Sequence, residues 1–226
     1  SEGNYPEFPD RSVQGGRVSV RCAFVEWPDG LEPAGPQWDA VRRQVDGAAP
    51  DLLVTSEMPF GPWMAGEPRF DSTAAQRTVA LHERGLEALA ALGVPAVISS
   101  RPVRAGGRLA NEAFALEAGR VRPLHRKRFF PEEPGWYEAS WFAPGAADSE
   151  VQPVGGLAGG LLLCTDLMFN EHARRYGRAG AELMAVPRAA GTSHATWLTA
   201  GAMAAIVSGC YVVSSNRTGR SAGGPA

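Results

Sequence analysis

The chain is built from short apolar runs that alternate with segments whose apolar residues recur at helical spacing. The apolar and alternating runs predict strands at residues 17–25, 51–55, 94–99, 156–164, 182–186 and 211–215. Helical spacing predicts helices at 38–45, 72–92, 170–178 and 195–207. Residues 109–116 and 121–124 flank the turn sequence Glu117-Ala-Gly-Arg120 and predict a hairpin.

Polar residues and glycines set the limits of the predicted helices. Ser72 can cap the second helix and Gly93 can end it, while Asn170 can cap the third helix and Gly180 can end it. The fourth helix, 195–207, is apolar on all sides, which predicts that it is buried between layers.

Strands and helices that alternate along the chain predict a layered α/β architecture. We expect one domain over residues 1–226, with an irregular lead-in at 1–16 and a polar, aromatic loop at 125–145. Because a flexible loop at 219–226 directly follows a strand, we expect the domain to be incomplete after residue 219.

Composition narrows the class of protein. The 226 residues carry a formal net charge of −2, which argues against a general nucleic-acid binder, and 44% are hydrophobic, which argues against disorder. Three cysteines argue against a disulfide scaffold and favour a reducing compartment, so we expect a cytoplasmic protein. No apolar run reaches the length of a membrane span, and no signal peptide is visible.

Three predicted strand ends carry reactive groups. Glu57 follows the strand at 51–55, Cys164 ends the strand at 156–164, and Lys127 follows the hairpin. Sites in α/β sheets gather at the carboxyl ends of strands. Taken singly, each residue has an ordinary interpretation: a loop acid, a small core residue, and one member of the basic run at 126–128. Lys127 is nevertheless the only lysine among 22 Lys and Arg residues, which suggests a position where arginine does not work.

Four segments around these residues match one family in order and spacing. Residues 51–57 (DLLVTSE) resemble DLVVLPE, residues 125–131 (HRKRFFP) resemble YRKxHLP, residues 134–145 (PGWYEASWFAPG) resemble PGYQExxYFxPG, and residues 160–171 (GLLLCTDLMFNE) resemble GxxICxDxxFPE. Residues 180–187 and 215–219 also fit in order. From about Arg17 to Gly219 the chain resembles the carbon–nitrogen hydrolases of the nitrilase superfamily.

This resemblance implies a four-layer αββα sandwich that lacks its C-terminal strands and tail in this chain. It also implies a homodimer or a higher homo-oligomer formed through outer helices. Departures from the family pattern are Ser56, Phe129, Thr165 and Asn170, which leave the reactive groups intact. Leu167 and Met168 stand where D-N-carbamoyl amino acid hydrolases have substrate-binding arginines, which disfavours that branch.

The resemblance implies a mechanism for cleaving a non-peptide C–N bond. Cys164 is the expected nucleophile, Glu57 the general base, and Lys127 the charge that stabilises the oxyanion. Glu138, eleven residues after Lys127, resembles the second glutamate of the family and is expected to hold the lysine. A cysteine thioester would then be hydrolysed by water.

Further residues are candidates for substrate binding, and no cofactor is expected. Phe60, Trp63 and Trp141 can line the pocket, Thr165 follows the nucleophile, and Arg188 can meet an anionic group. The four histidines at 82, 125, 172 and 194 lack metal-ligand spacing, so we expect no metal.

The expected substrate is a small linear amide or N-carbamoyl (ureido) compound, with no nucleic acid and no membrane as a partner. A nitrilase acting on a C≡N group is the first alternative. An acyltransferase is disfavoured because such relatives carry a membrane domain. A non-catalytic binding or assembly subunit ranks lower because the reactive residues are all present.

Overall fold

Two large sheets form the centre of the molecule. The computed structural model describes residues 19–146, 150–191 and 193–219. The first sheet contains, in spatial order, β1 (Cys22–Phe24), β3 (Leu52–Val54), β4 (Ala96–Ala105), β5 (Arg108–Glu117) and β6 (Arg120–Arg126). Strands β1, β3 and β4 are parallel, and β4, β5 and β6 form an antiparallel meander. Strand β6 therefore runs in the same direction as β3 and β4.

The second sheet is smaller and mostly parallel. It contains, in spatial order, β12 (Tyr211–Ser215), β11 (Leu183–Pro187), β10 (Leu157–Leu161) and β9 (Gln152–Val154). Strand β9 pairs antiparallel with β10, and the other neighbours are parallel. Two further pairs are β2 (Trp27–Pro28) with β13 (Arg217–Thr218), and β7 (Glu132–Glu133) with β8 (Trp136–Tyr137).

Helices cover the outer faces of both sheets. These are α1 (Pro36–Ala48), α2 (Ser72–Ala90), α4 (Asn170–Arg178) and α5 (His194–Ser208), whereas α3 (Glu138–Trp141) and a short 3-10 helix at Cys164–Met168 lie in connecting segments. The apolar stripe of α1, Trp38, Val41 and Val45, packs with α2 against the first sheet. Helices α4 and α5 pack against Met184 and Val186 of the second sheet.

The alternation of side chains in the strands determines which face meets which layer. In β3, Leu52 and Val54 point between the two sheets, where they join Leu161 and Leu183 of the second sheet. The intervening Leu53 points outward to the α1 and α2 layer. The layers therefore follow the order helix, sheet, sheet, helix, which is the αββα sandwich expected from the resemblance.

Most of the predicted elements are confirmed, with shifted ends. Strand β12 and helix α4 have the predicted bounds, whereas the first strand is shortened to β1 and its Phe24 is 64% exposed because β1 is an edge strand. Asp71, not Ser72, caps α2, because its carboxylate accepts from the N–H groups of Thr73 and Ala74. Residues 1–18 and 220–226 lie outside the described residues.

The expectation that the helix at 195–207 is buried is wrong. Only Ala204 and Ser208 of α5 are buried, while Leu198 is 72% and Ile206 is 66% exposed. An all-apolar sequence predicts an apolar environment for a helix but not which neighbour supplies it. Here α4 and the second sheet cover one side only. Among the described residues, no helix has both the length and the apolarity to cross a membrane.

Candidate active site

The loop after β3 places Glu57 in the interior. Glu57 is fully buried, and its peptide N–H donates to the carbonyl of Arg188 at 3.2 Å. The following residue, Met58, has φ +42° and donates its N–H to Ser100 Oγ at 2.8 Å. A left-handed backbone at a non-glycine residue costs energy, and such residues cluster at functional sites. The loop is therefore held in one conformation with its carboxylate turned inward.

Lys127 enters the same space from β6, whose carboxyl end lies at the same edge of the first sheet as that of β3. Its side chain is fully buried, and Nζ donates to Glu57 Oε1 at 2.9 Å and to Glu138 Oε2 at 2.5 Å. Its backbone N–H donates to the carbonyl of Asn111 at 2.9 Å. The lysine is thus clamped between two carboxylates from different segments.

Cys164 follows β10 and begins the 3-10 helix, three residues beyond the end of the strand rather than at its end. Its φ is +47°, which turns the chain sharply at the thiol. Cys164 Sγ lies 3.6 Å from the carbonyl oxygen of Ala189, and the N–H of Ala189 donates to Glu57 Oε2 at 3.0 Å. The backbone of the single residue Ala189 therefore contacts both the thiol and the carboxylate.

Burial and charge change the proton affinities of these groups. Burial, together with the charge of Glu57, raises the pKa of the Cys164 thiol well above its usual value. The charges of Glu138 and Glu57 outweigh burial and raise the pKa of Lys127. Burial and the charge of Glu57 raise the pKa of Glu138 to about 8. At neutral pH the site accordingly holds a protonated thiol and a protonated lysine.

Asp166 connects the cysteine turn to the lysine loop. Its Oδ1 accepts from the N–H groups of Arg128 and Phe129 at 3.1 and 3.0 Å, and Oδ2 lies 2.8 Å from His125 Nε2. The carboxylate therefore fixes the position of Lys127 relative to Cys164.

Asn111 is a residue of this site that the sequence analysis missed. Its Nδ2 donates to Glu57 Oε1 at 2.7 Å, and its side chain is fully buried. A single asparagine within an apolar strand, β5, was the available signal. Asn111 reaches Glu57 only because β5 pairs with β6 and the loop after β3 packs against it. A local sequence pattern predicts neither of these contacts.

A cavity of about 320 Å³ opens at the thiol. It is lined by Pro131, Glu133, Trp136, Glu138, Cys164, Thr165, Ala189, Ala190, Gly191, Ser193 and Trp197. Of the predicted substrate-binding residues, only Thr165 lines it. A wider groove of about 520 Å³ adjoins it and shares Pro131 and Thr165.

The structure does not place Phe60, Trp63 and Trp141 in the lining of this cavity. Phe60 packs against Trp38 and His82 beneath α2, and both tryptophans lie in a core under the loops. Aromatic residues near a loop serve the core as readily as a site. The indoles that do line the cavity belong to Trp136 and Trp197.

Arg188 is placed beside the cavity rather than in its lining. Its guanidinium lies 5.0 Å from the ring centre of Trp197, and Nε donates to Ser214 Oγ at 2.9 Å. The described part of the chain contains no group of three or more His, Cys, Asp or Glu side chains arranged to hold a metal ion.

The chain is similar to known proteins of one family. The carbon-nitrogen hydrolase family model matches residues 35–224. A glutamine-dependent NAD(+) synthetase of Xanthomonas campestris pv. campestris (strain 8004) is 33% identical over 142 residues, which are 62% of this chain and 25% of the relative. The chain thus spans a quarter of the length of that curated relative.

Solved structures share the fold at low sequence identity. A carbon-nitrogen hydrolase from Helicobacter pylori G27 has a TM-score of 0.74 at 21% identity, over 88% of this chain and 74% of that one. An amidase variant from Nesterenkonia sp. AN1 has a TM-score of 0.72 at 21% identity, over 89% and 80%. The match of the family model to most of the chain shows that this protein belongs to the carbon-nitrogen hydrolase family.

Proposed function

We propose that this enzyme hydrolyses a small linear amide or N-carbamoyl compound through a thioester on Cys164. The observation that carries the proposal is the meeting of four buried groups, the Cys164 thiol, the Lys127 ammonium and the carboxyl groups of Glu57 and Glu138, of which Cys164 and Glu138 line a cavity. Burying such groups costs free energy unless they are paired, and sites that perturb several pKa values in a cleft are typical of active sites.

The chemistry starts from the neutral thiol. Glu57 accepts the thiol proton as sulfur attacks the amide carbonyl, since the raised pKa of Cys164 keeps the free thiolate scarce. The carbonyl oxygen becomes an oxyanion beside the Lys127 ammonium, where one donor contributes roughly 3 kcal/mol to lowering the barrier. The proton held by Glu57 passes to the leaving nitrogen, and ammonia or an amine departs.

Water completes the cycle. Glu57 removes a proton from water, the hydroxyl adds to the thioester, and the sulfur leaves as a thiol that regains the proton. Glu138 keeps Lys127 directed at the carbonyl oxygen through its 2.5 Å contact. The net reaction is hydrolysis of the amide to an acid and an amine, with Cys164 restored. A mutant of the Nesterenkonia sp. AN1 amidase carries acrylamide joined to its active-site cysteine by Michael addition, which supports cysteine as the reactive group here.

The deciding experiment is the mass of the acylated protein after rapid quenching with a panel of amides and matched nitriles. We expect an acyl adduct on Cys164 and release of ammonia, and we expect Cys164→Ala to lose both. Cys22→Ala is the matched control, because Cys22 lies in β1 and packs between the sheets. Full turnover by Cys164→Ala contradicts the proposal, and ammonia release from nitriles but not from amides favours the nitrilase alternative.

We also propose that two copies of the chain associate through α5. Leu198 and Ile206 are largely exposed and Met203 is 42% exposed on this helix. An apolar helix face of this kind is typical of an interface between proteins. The homo-oligomer implied by the family resemblance accounts for the apolar character of α5.

A further inference from the structure

The cavity at Cys164 is unbalanced in charge. Glu133 and Glu138 line it, and no arginine or lysine among the described residues does so. Glu138 Oε2 contacts Lys127, but its Oε1 is buried with no hydrogen-bond partner in the described part of the chain. A carboxylate group on a substrate would meet the Glu133 carboxylate and no cationic side chain in this lining.

Glu133 lies at the outer part of this cavity. It belongs to β7, where its backbone pairs with Trp136 and its side chain is exposed, whereas Glu138 is fully buried. Glu133 forms no ion pair with another described residue, while the neighbouring Glu132 accepts hydrogen bonds from Ser140 and does not line the cavity. Its carboxylate is therefore available to a ligand.

The remaining walls suit a cation as well. Trp136 and Trp197 both line the cavity, and aromatic faces attract ammonium groups. Arg188 is not part of the lining: its guanidinium lies against the Trp197 ring and donates to Ser214, and its charge acts on Cys164 rather than on the outer part of the cavity. An ammonium group enclosed by indoles and a carboxylate would be stabilised here.

We propose that Glu133 determines specificity for amides whose acyl chain ends in an ammonium group. The inference rests on the proposed amide hydrolysis and adds the charge class of the substrate. In this arrangement the amide carbon lies at Cys164, the chain crosses the cavity between the indoles, and the ammonium group meets Glu133.

The test compares three amides of similar length that differ in terminal charge: γ-aminobutyramide, valeramide and succinamate. We expect kcat/KM to favour γ-aminobutyramide over valeramide by about fivefold, mainly through KM, since an exposed charge pair contributes about 1 kcal/mol and binds ground and transition states alike. Succinamate should be the poorest substrate. High ionic strength should reduce the preference, because salt screens exposed charges.

Matched variants assign the preference to one carboxylate. Glu133→Gln should bring the ratio for γ-aminobutyramide over valeramide close to one, and Glu133→Arg should shift the preference towards succinamate. Glu132→Gln should retain the parent ratio.

Two outcomes would overturn the inference. One is a preference for succinamate that disappears in Arg188→Gln, which would assign specificity to Arg188. The other is a ratio that Glu133→Gln leaves unchanged. Turnover of none of the amides would instead overturn the proposed function.

Discussion

At the scale of residues, charge burial explains the composition of the site. Lys127 has no solvent contact and lies within hydrogen-bond distance of the carboxyl groups of Glu57 and Glu138. These two short hydrogen bonds restrict the position of its ammonium group. An ammonium is a compact charge with three donors, and a guanidinium is wide and planar. This geometric demand accounts for the single lysine in a chain whose other 21 strongly basic residues are arginines.

Lys127→Arg should reduce kcat by about 100-fold or more although it preserves charge, because a displacement of about 1 Å at a reacting centre costs on the order of 100-fold. Steady-state kinetics on folded protein measures this. Arg126→Lys is the control, since Arg126 pairs with Glu112 at the edge of the sheet and should tolerate the change. Parent-like activity of Lys127→Arg would remove the lysine from the mechanism.

Glu138→Gln should alter the pH dependence of stability. Burial raises the pKa of Glu138 to about 8, above its unfolded value, so the folded protein retains a proton that the unfolded chain loses. The free energy of unfolding of the parent therefore carries a contribution that falls as pH rises from about 4.5 to 8, and the variant lacks it. Urea unfolding at several pH values in this window compares the slopes, and Glu132→Gln should keep the parent slope.

At the scale of elements, the site depends on the junction between the β6 loop and the 3-10 helix. Asp166 is almost fully buried and joins both through backbone N–H groups and His125. Burial opposes ionisation, but the hydrogen bond from His125 and the backbone donors outweigh it and lower the pKa of Asp166. An ionised carboxylate thus fixes two loops that are far apart in sequence.

Asp166→Asn should lower the free energy of unfolding by about 1–3 kcal/mol, because it leaves buried donors poorly paired. We also expect kcat to fall at least tenfold, since Lys127 is no longer held in its position relative to Cys164. Chemical denaturation and steady-state kinetics measure the two effects. Asp71→Asn is the control, because asparagine caps a helix as well as aspartate and Asp71 lies at the start of α2, away from the site. Equal activity losses in both variants would contradict this role.

At the scale of the whole molecule, the exposed face of α5 adjoins the candidate active site. Trp197 of this helix lines the cavity, and Leu198 and Ile206 face solvent. Association of two copies through α5 would shield the apolar side chains from water and restrict the motion of the cavity wall. Assembly and catalysis would then depend on the same helix.

Ile206→Asp should shift the protein from dimer to monomer, because it places a charge in an apolar interface. Sedimentation velocity over a range of concentrations measures the change. Gln76→Glu on the exposed side of α2 adds a negative charge elsewhere and should leave the oligomeric state unchanged. A parent protein that stays monomeric at all concentrations would contradict the proposed interface.

The sequence by itself determined the layered order of the elements and the identity of Glu57, Lys127, Cys164 and Glu138 as candidates. Periodicity reports which faces of an element are apolar, and this suffices to locate strands and helices along the chain. The resemblance of four ordered segments to the family's motifs identified the candidate reactive groups, of which Glu57, Lys127 and Cys164 lie at the ends of predicted strands. The distances and hydrogen bonds between these groups could not be predicted from the spacing.

Tertiary structure decided which residues surround these groups. The burial of Phe60, Trp63 and Trp141, the contact of Asn111 with Glu57, and the exposure of α5 all depend on neighbours distant in sequence. The left-handed backbone at Cys164 likewise arises where β10 meets a turn held by Asp166. Local patterns encode preferences of single segments, whereas the lining of a cavity is a property of several segments packed together, and only the folded chain specifies it.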